Sequence, residues 1–405
     1  MRSIHSLLTP ARVARAKTHD FRPANVAGVA INLEAAQEAR PALILQKARP
    51  KIKVRKVKLN LGKLTADIHA ALKDNVRGYA FGLRQNGQHV ATLTWDSARV
   101  NGSGWTLDTK MHVASVSKTI TAMAAVKMLT DKGLPFTTKI GPYFPVYWNE
   151  GQNSPDITFR ELLTHHGGFT DANYDGSYPV FKQQIEQGVA ANRASQGGNY
   201  TNAAFSIVRV LNSTMTGAVP KDLSMPSGTS ATERDAIWDD LTSESFELYV
   251  KSKILTPSGV SNVATTPSTG SAFAYTTRPD QAGWDSGELQ TQLGGAGFRV
   301  SVNDLLNIMG TFRRKGSIVS PQKAQEALDA ELGVDTIDTP LGKMYGKGGW
   351  WGGGGMTGGL FHVEQSYIAF LPDDMELAIL VNSNIGSSAA SLYWTVNNAV
   401  INNME

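Results

Sequence analysis

Strand patterns stand at the two ends of the chain and helical patterns fill the stretch between them, and that arrangement restricts the possible architectures more than any other feature. Near the start, "YAFGLRQNGQHVATLTW" (79–95) carries two runs of strand character around Asn86-Gly87. Asn-Gly tolerates the positive φ that a two-residue hairpin turn demands, so an antiparallel hairpin is predicted there. Near the end, "SYIAFLPDDMELAILVNSN" (366–384) reads as two more strands joined at Pro372-Asp373-Asp374. Strands this far apart in sequence share one sheet only if the chain between them is accommodated as an insertion. Ahead of the hairpin, "LGKLTADIHAALKDN" (61–75) sets Leu61, Leu64, Ile68, Ala71 and Leu72 on one helical face, and an amphipathic helix at about 387–402 closes the chain. The expected fold is α+β, an antiparallel sheet flanked by helices. Its α/β domain is built from residues 61–165 and 286–405, a mainly helical lobe is inserted at 166–285, and an arm at 1–60 is partly extended.

Charge divides along the same boundaries. The net charge is +4, yet residues 1–63 hold fourteen Lys or Arg against Asp20, Glu34 and Glu38, so the arm is strongly basic and the body acidic. Such an arm binds a polyanion or lies against its own body. The second reading is favoured, because aromatic residues for base stacking are few and "KIKVRKVKL" (51–59) partly alternates like a half-exposed strand. No nucleic-acid partner is expected. The Arg-rich first 20 residues weakly resemble an organelle transit peptide, while the lack of an apolar signal core favours the cytoplasm over export. No run reaches the length of a membrane span. With no cysteine, thiolate nucleophiles, disulfides and cysteine-held metals are excluded.

Three short motifs carry chemistry. In "HVASVSKTITAMAAVKML" (112–129) Ser115 stands three residues before Lys118 as a helical pattern begins. Positions i and i+3 share a helical face, which brings the Lys118 amine to the Ser115 hydroxyl, and a buried lysine that loses its proton can act as a base. In "GGNYTNAAFSIV" (197–208) Tyr200 and Asn202 flank Thr201 at a loop-to-helix turn, offering a phenol for proton relay and an amide for a substrate carbonyl. The third, "GGGGMTGGLFHVEQSYIAF" (352–370), is a glycine-rich approach to a strand, where bare backbone N–H groups can meet a substrate.

These motifs, with "ITFRELLTHHGGF" (157–169), "KILTPSGV" (253–260) and "GGAGFRVSVNDLLNIM" (294–309) in the same order, resemble the penicillin-recognising serine hydrolases. That group holds class C β-lactamases, D-alanyl-D-alanine carboxypeptidases, D-amino-acid amidases and family VIII esterases. The resemblance covers about residues 61–400 and implies a β-lactamase/transpeptidase-like fold. It implies that Ser115 attacks a carbonyl and is acylated, that Lys118 and Tyr200 share the proton traffic, and that Asn202 holds the acyl side. It further implies an oxyanion hole from the N–H groups of Ser115 and Gly359, with no metal or organic cofactor.

One departure bears on substrate. The family's third box begins with Lys or His, whereas the expected register here is Met356-Thr357-Gly358, with Thr357 and Gly358 facing substrate; a second register is Trp351-Gly352-Gly353. Trp351 and Met356 then become cleft wall. Either register removes the cation that pairs with a substrate carboxylate, so neutral esters or amides are favoured, and Lys347 is the nearby candidate if a cation serves after all. The adjacent pair His165-His166 does not suit metal binding, since ligands on a helix stand at i and i+4. The expected function is a serine hydrolase acting on a small ester, amide or peptide. The alternatives are a D-alanyl-D-alanine carboxypeptidase or β-lactamase, and a pseudoenzyme that serves as a binding module. Oligomeric state is left open by the sequence.

Overall fold

The computed structural model describes residues 7–19, 58–170, 177–261, 263–357, 360–385 and 391–405. In chain order the helices and strands that matter are α1 (Pro10–Ala16), α2 (Leu61–Leu72), β1 (Gly78–Gln85), β2 (Gln88–Asp96), β3 (Met111–His112), α3 (Ser117–Asp131), α4 (Phe159–Leu163), α5 (Tyr178–Gln187), α6 (Asn202–Met215) and α7 (Ala231–Val250). They continue as β4 (Arg299–Val300), α8 (Val302–Gly310), α9 (Pro321–Asp329), β5 (Asp335–Thr339), β6 (Gly342–Thr357), β7 (Leu360–Leu371), β8 (Met375–Val381) and α10 (Ser391–Asn402).

Asn86 and Gly87 both take positive φ, 51° and 82°, and close the predicted hairpin with Gln85 opposite Gln88. Asp373 and Asp374, at 56° and 54°, turn β7 into β8 in the same left-handed region. The sheet order is β2-β1-β8-β7-β6-β5 with every neighbour antiparallel, so Tyr79 of the first strand lies against Val381 of the last. This is a β-lactamase/transpeptidase-like fold, as expected from the sequence.

Strand alternation divides the sheet's side chains between two cores. Tyr79, Phe81, Leu377 and Ile379 face one side, where Leu64, Ile68 and Leu72 of α2 and Val396 and Val400 of α10 cover them. Ala80, Ile368, Phe370, Ala378 and Leu380 face the other, towards α3 and the helices of the lobe. Burial on both faces explains why β8 reads as a continuous apolar run from Leu377 to Val381. Helix α3 is buried at every residue from Ser117 to Val126, its polar Ser117, Lys118, Thr119 and Thr121 included, so the Ser-Lys motif is carried on a central element.

Within the arm, residues 10–16 are helical. Thr9 caps the helix by accepting from Arg12 N–H, and Pro10 at its first turn fixes a helical φ without losing an intrahelical bond. Helix α1 packs on α7: Arg12 pairs with Asp240 and Glu244 and donates to the Leu7 carbonyl at 2.8 Å, while His19 lies 3.3 Å from Asp239. This part of the basic arm therefore lies on an acidic face of its own body. Residues 51–57 of the alternating stretch fall outside the described residues, and its last two residues pair with the C-terminus, where Lys58 N–H donates to Glu405 O at 2.6 Å and Leu59 bridges Met404.

Candidate active site

Ser115 sits in a single 3₁₀ turn, Ala114–Val116, between β3 and α3. Ala114 takes a left-handed φ of 46°, a strained conformation for a residue with a Cβ, and it lifts the serine out of the strand just before the helix starts. The α-helix proper begins at Ser117, two residues later than the sequence suggests. The expected pairing survives because the turn runs directly into the helix and i and i+3 stay on one face: Lys118 Nζ lies 3.0 Å from Ser115 Oγ.

Lys118 is fully buried, and its ammonium meets two further acceptors, Asn202 Oδ1 at 2.6 Å and the Gly295 carbonyl at 2.8 Å. Tyr200 donates to Ser115 Oγ from the other side at 2.6 Å. Thr201 caps α6 by accepting from Ala204 N–H, so the helix begins at Asn202 and presents its amide to Lys118 while Tyr200 precedes it in extended chain. The structure thus brings Ser115, Lys118, Tyr200 and Asn202 together. Gly294, at φ 102°, passes so close to α6 that a methyl group there would collide with the Phe205 carbonyl, and this approach sets the Gly295 oxygen beside Lys118.

The third motif stands elsewhere than the sequence suggested. On β6 the residue against the nucleophile is Gly349: a methyl there would strike Ser366 Oγ and the Val113 carbonyl and lie 3.1 Å from Ser115 N. Two residues earlier on the same face, Lys347 is buried, its Nζ 5.1 Å from the Tyr200 ring centroid and 3.8 Å from the Asp335 carboxylate. Lys347 and Gly349 are thus the β6 residues beside Tyr200 and Ser115, the neighbourhood in which Met356-Thr357-Gly358 was expected. Met356 and Thr357 pair with Phe361 and Leu360 at the hairpin end of β6, roughly 20 Å along the strand at its usual rise, and Gly358 and Gly359 fall outside the described residues. The alternative register lies two residues past Gly349 on β6. Trp351 is half-buried with its ring edge-on to His112 at 5.1 Å, beyond the point where the strand touches Ser115. With Lys347 in place, the cleft has the cation whose absence favoured neutral substrates.

His165, set aside as a metal ligand on the sequence, lies against the tyrosine. Its ring stacks on Tyr200 at 4.5 Å and on Phe205 at 4.9 Å. Thr201 N–H donates to its Nδ1 at 3.2 Å, which leaves the ring proton on Nε2. Burial, reinforced by the nearby Lys347 and Lys118 cations and His166, holds its pKa well below the usual imidazole value, so it stands neutral against the phenol. His166 turns away to the Thr164 carbonyl at 2.7 Å, and among the described residues no cluster of His, Asp and Glu could hold a metal. No helix among the described residues is long and apolar enough to cross a membrane.

A buried lysine and a tyrosine meet one serine hydroxyl at the junction of an antiparallel sheet and a helical lobe. The chain belongs to the Beta-lactamase family, a family of serine hydrolases, whose model matches residues 64–220 and 235–399. Among solved structures it is similar to the octameric penicillin-binding protein homologue from Pyrococcus abyssi, with TM-score 0.61 and 17% identity over 84% of this chain and 76% of that one. It is also similar to a beta-lactamase/D-alanine carboxypeptidase from Pseudomonas syringae (TM-score 0.60, 16% identity, 83% and 98% covered) and to the D-amino acid amidase from Ochrobactrum anthropi SV3 (TM-score 0.57, 17% identity, 84% and 99% covered). No curated protein matches the chain in sequence.

Proposed function

We propose that the protein is a serine hydrolase that forms an acyl-enzyme on Ser115 from a small ester or amide. The observation that carries this is the Ser115 hydroxyl held between Lys118 Nζ at 3.0 Å and the Tyr200 phenol at 2.6 Å. In the arrangement observed, the lysine gives its hydrogens to three oxygens, so attack requires the Lys118–Tyr200 pair first to give up a proton. The vacated site then receives the serine proton as Oγ bonds to the carbonyl carbon, and the same pair returns that proton to the leaving alcohol or amine. Water, deprotonated by the same groups, completes the turnover by attacking the acyl-enzyme. For the oxyanion, the approach of Gly349 to Ser115 N supports a pocket between Ser115 N–H and the β6 backbone there.

A carboxylate-bearing substrate, such as a D-alanyl peptide or a β-lactam, is a second reading, favoured by one observation: Lys347 beside Tyr200. Incubation with a fluorophosphonate probe, followed by intact-mass and peptide analysis, tests the common core of both. One adduct on Ser115, absent in Ser115→Ala, is the expected result. A wild-type protein that stays unlabelled while folded would leave the binding-module reading standing.

A further inference from the structure

A second polar cluster lies behind the nucleophile turn, and we propose that its members His112 and Glu364 are positioning residues that hold the Gly295 carbonyl against the Lys118 amine. The inference rests on the acyl-enzyme reading above and extends it to residues that never touch substrate.

His112 is on β3, three residues before Ser115, and lies opposite Arg299 of β4. Its ring is fully buried. Gly297 N–H donates to His112 Nε2 at 3.2 Å, so the ring proton is on Nδ1, and Nδ1 donates to Glu364 Oε2 at 3.1 Å. Glu364 reaches in from β7, where it pairs with the same Trp351 whose ring stands on His112. Its second oxygen faces Arg299 at 3.8 Å, and Arg299 in turn donates to Asp285 at 3.2 Å, Ser286 at 2.7 Å and the Gly287 carbonyl at 3.0 Å. The charged groups facing the imidazole are therefore Glu364, Arg299 and, further out, Asp285.

The cluster acts through the turn at 294–298. Gly297 takes φ 104°, and a methyl there would crowd the Leu289 carbonyl at 2.7 Å, so the turn follows a narrow path. Thr121 holds the Gly294 carbonyl at 2.8 Å and Ser117 Oγ accepts from Phe298 N–H at 3.3 Å, while His112 takes the N–H at Gly297. Gly295 lies between these anchors and offers its oxygen to Lys118. A neutral Lys118 has two N–H groups and one lone pair. With the N–H groups committed to Asn202 Oδ1 and Gly295 O, the lone pair is aimed at Ser115 Oγ, whose proton it takes. Without the Gly295 oxygen the amine is free to rotate.

This role requires a neutral His112, since an imidazolium would turn an N–H towards the Gly297 N–H. Burial is the largest influence on the ring and keeps its pKa below the ordinary value against the pull of Glu364. A buried pair that merely supports the fold would change stability and nothing else.

The test compares the pH profile of fluorophosphonate labelling of Ser115 in the wild type, His112→Phe and His112→Gln, with rates normalised to folded protein. His112→Phe removes the acceptor for Gly297 N–H. Its labelling should slow at least about tenfold, the scale of small misplacements of a reacting group. The acid limb should also move to lower pH, because the charged amine has lost a carbonyl acceptor. His112→Gln, whose Oε1 reaches the position of Nε2, should label within about threefold of the wild type. A His112→Phe variant with wild-type rate and profile would overturn the proposal, as would a His112→Gln variant equally slow. Failure of the wild type to label speaks instead against the acyl-enzyme reading. Should His112→Phe not fold, ¹⁵N-histidine NMR of the wild type decides, with the His112 signals identified by their loss in His112→Gln. A fixed Nδ1–H tautomer from about pH 5.5 to 8 supports the proposal, and an Nε2–H or titrating ring overturns it.

Discussion

The Lys347 ammonium lies 5.1 Å from the Tyr200 ring centroid and 3.8 Å from Asp335, and it gives the cleft a buried cation that a substrate carboxylate can meet. A charge-assisted contact in a desolvated site is worth roughly 1.5–3 kcal/mol. Lys347→Met should therefore reduce kcat/KM for a carboxylate-bearing amide about ten- to a hundredfold more than for the matched neutral amide. Equal losses on both would show that Lys347 serves the tyrosine and not the substrate. The same residue marks the limit of reading sites from sequence. Ser115 and Lys118 were legible because one helical turn relates them, and Tyr200 and Asn202 because a cap places them. Lys347 was obscured because the glycine-rich run after it extends the β6–β7 hairpin. Thr357, which pairs with Leu360, then lies at the hairpin end of β6, and the residue that meets the serine is decided by sheet register. A lysine followed by two glycines was the available signal.

Elements with strong local signals formed where the sequence placed them: the Asn86-Gly87 hairpin, the β7–β8 turn and the apolar face of α2. The two-residue strands β3 and β4 left no such signal, because a pairing this short exists only through tertiary contact, yet they fix the approach to Ser115. Helix α1 shows how a segment ahead of the family-matched region is tied to the body. Leu7 and Ala16 pack into the main core and Arg12 pairs with Asp240 and Glu244. Asp239, which His19 approaches, is fully buried and binds Arg209, whose guanidinium donates to the Thr291 and Leu293 carbonyls just before Gly294. Deleting residues 1–19 exposes the seat of Leu7 and removes partly screened ion pairs, together about 2–4 kcal/mol. The midpoint of denaturant unfolding should fall accordingly while Ser115 labelling of the folded protein persists. An unchanged midpoint would mean that α1 is only loosely attached.

For the molecule as a whole, stability and chemistry draw on the same buried titratable groups. His112, fully buried, and His165, partly buried, both have pKa values pushed below the ordinary imidazole value, the first mainly by burial against the attraction of Glu364, the second by burial together with Lys347, Lys118 and His166. Unfolded, each titrates near about 6.5. Above that pH both states hold the rings neutral and the folded protein keeps its full stability. As pH falls below it, the unfolded chain binds protons that the folded one refuses, so stability declines until the folded-state values are reached. Each ring contributes at most about 1.4 kcal/mol per pH unit. Glu376, whose carboxyl burial pushes upward despite Arg314 and Arg313, acts in the opposite sense as pH falls and partly masks the trend in the wild type. Comparison with His112→Gln removes that masking, because Glu376 is common to both. Denaturant unfolding at about pH 7.5 and 5.5 should show the wild type losing more stability on acidification than His112→Gln, by up to one proton's worth per pH unit. An equal loss in the two proteins would mean that His112 takes up its proton inside the fold, and its bond to Gly297 would then not survive mild acid.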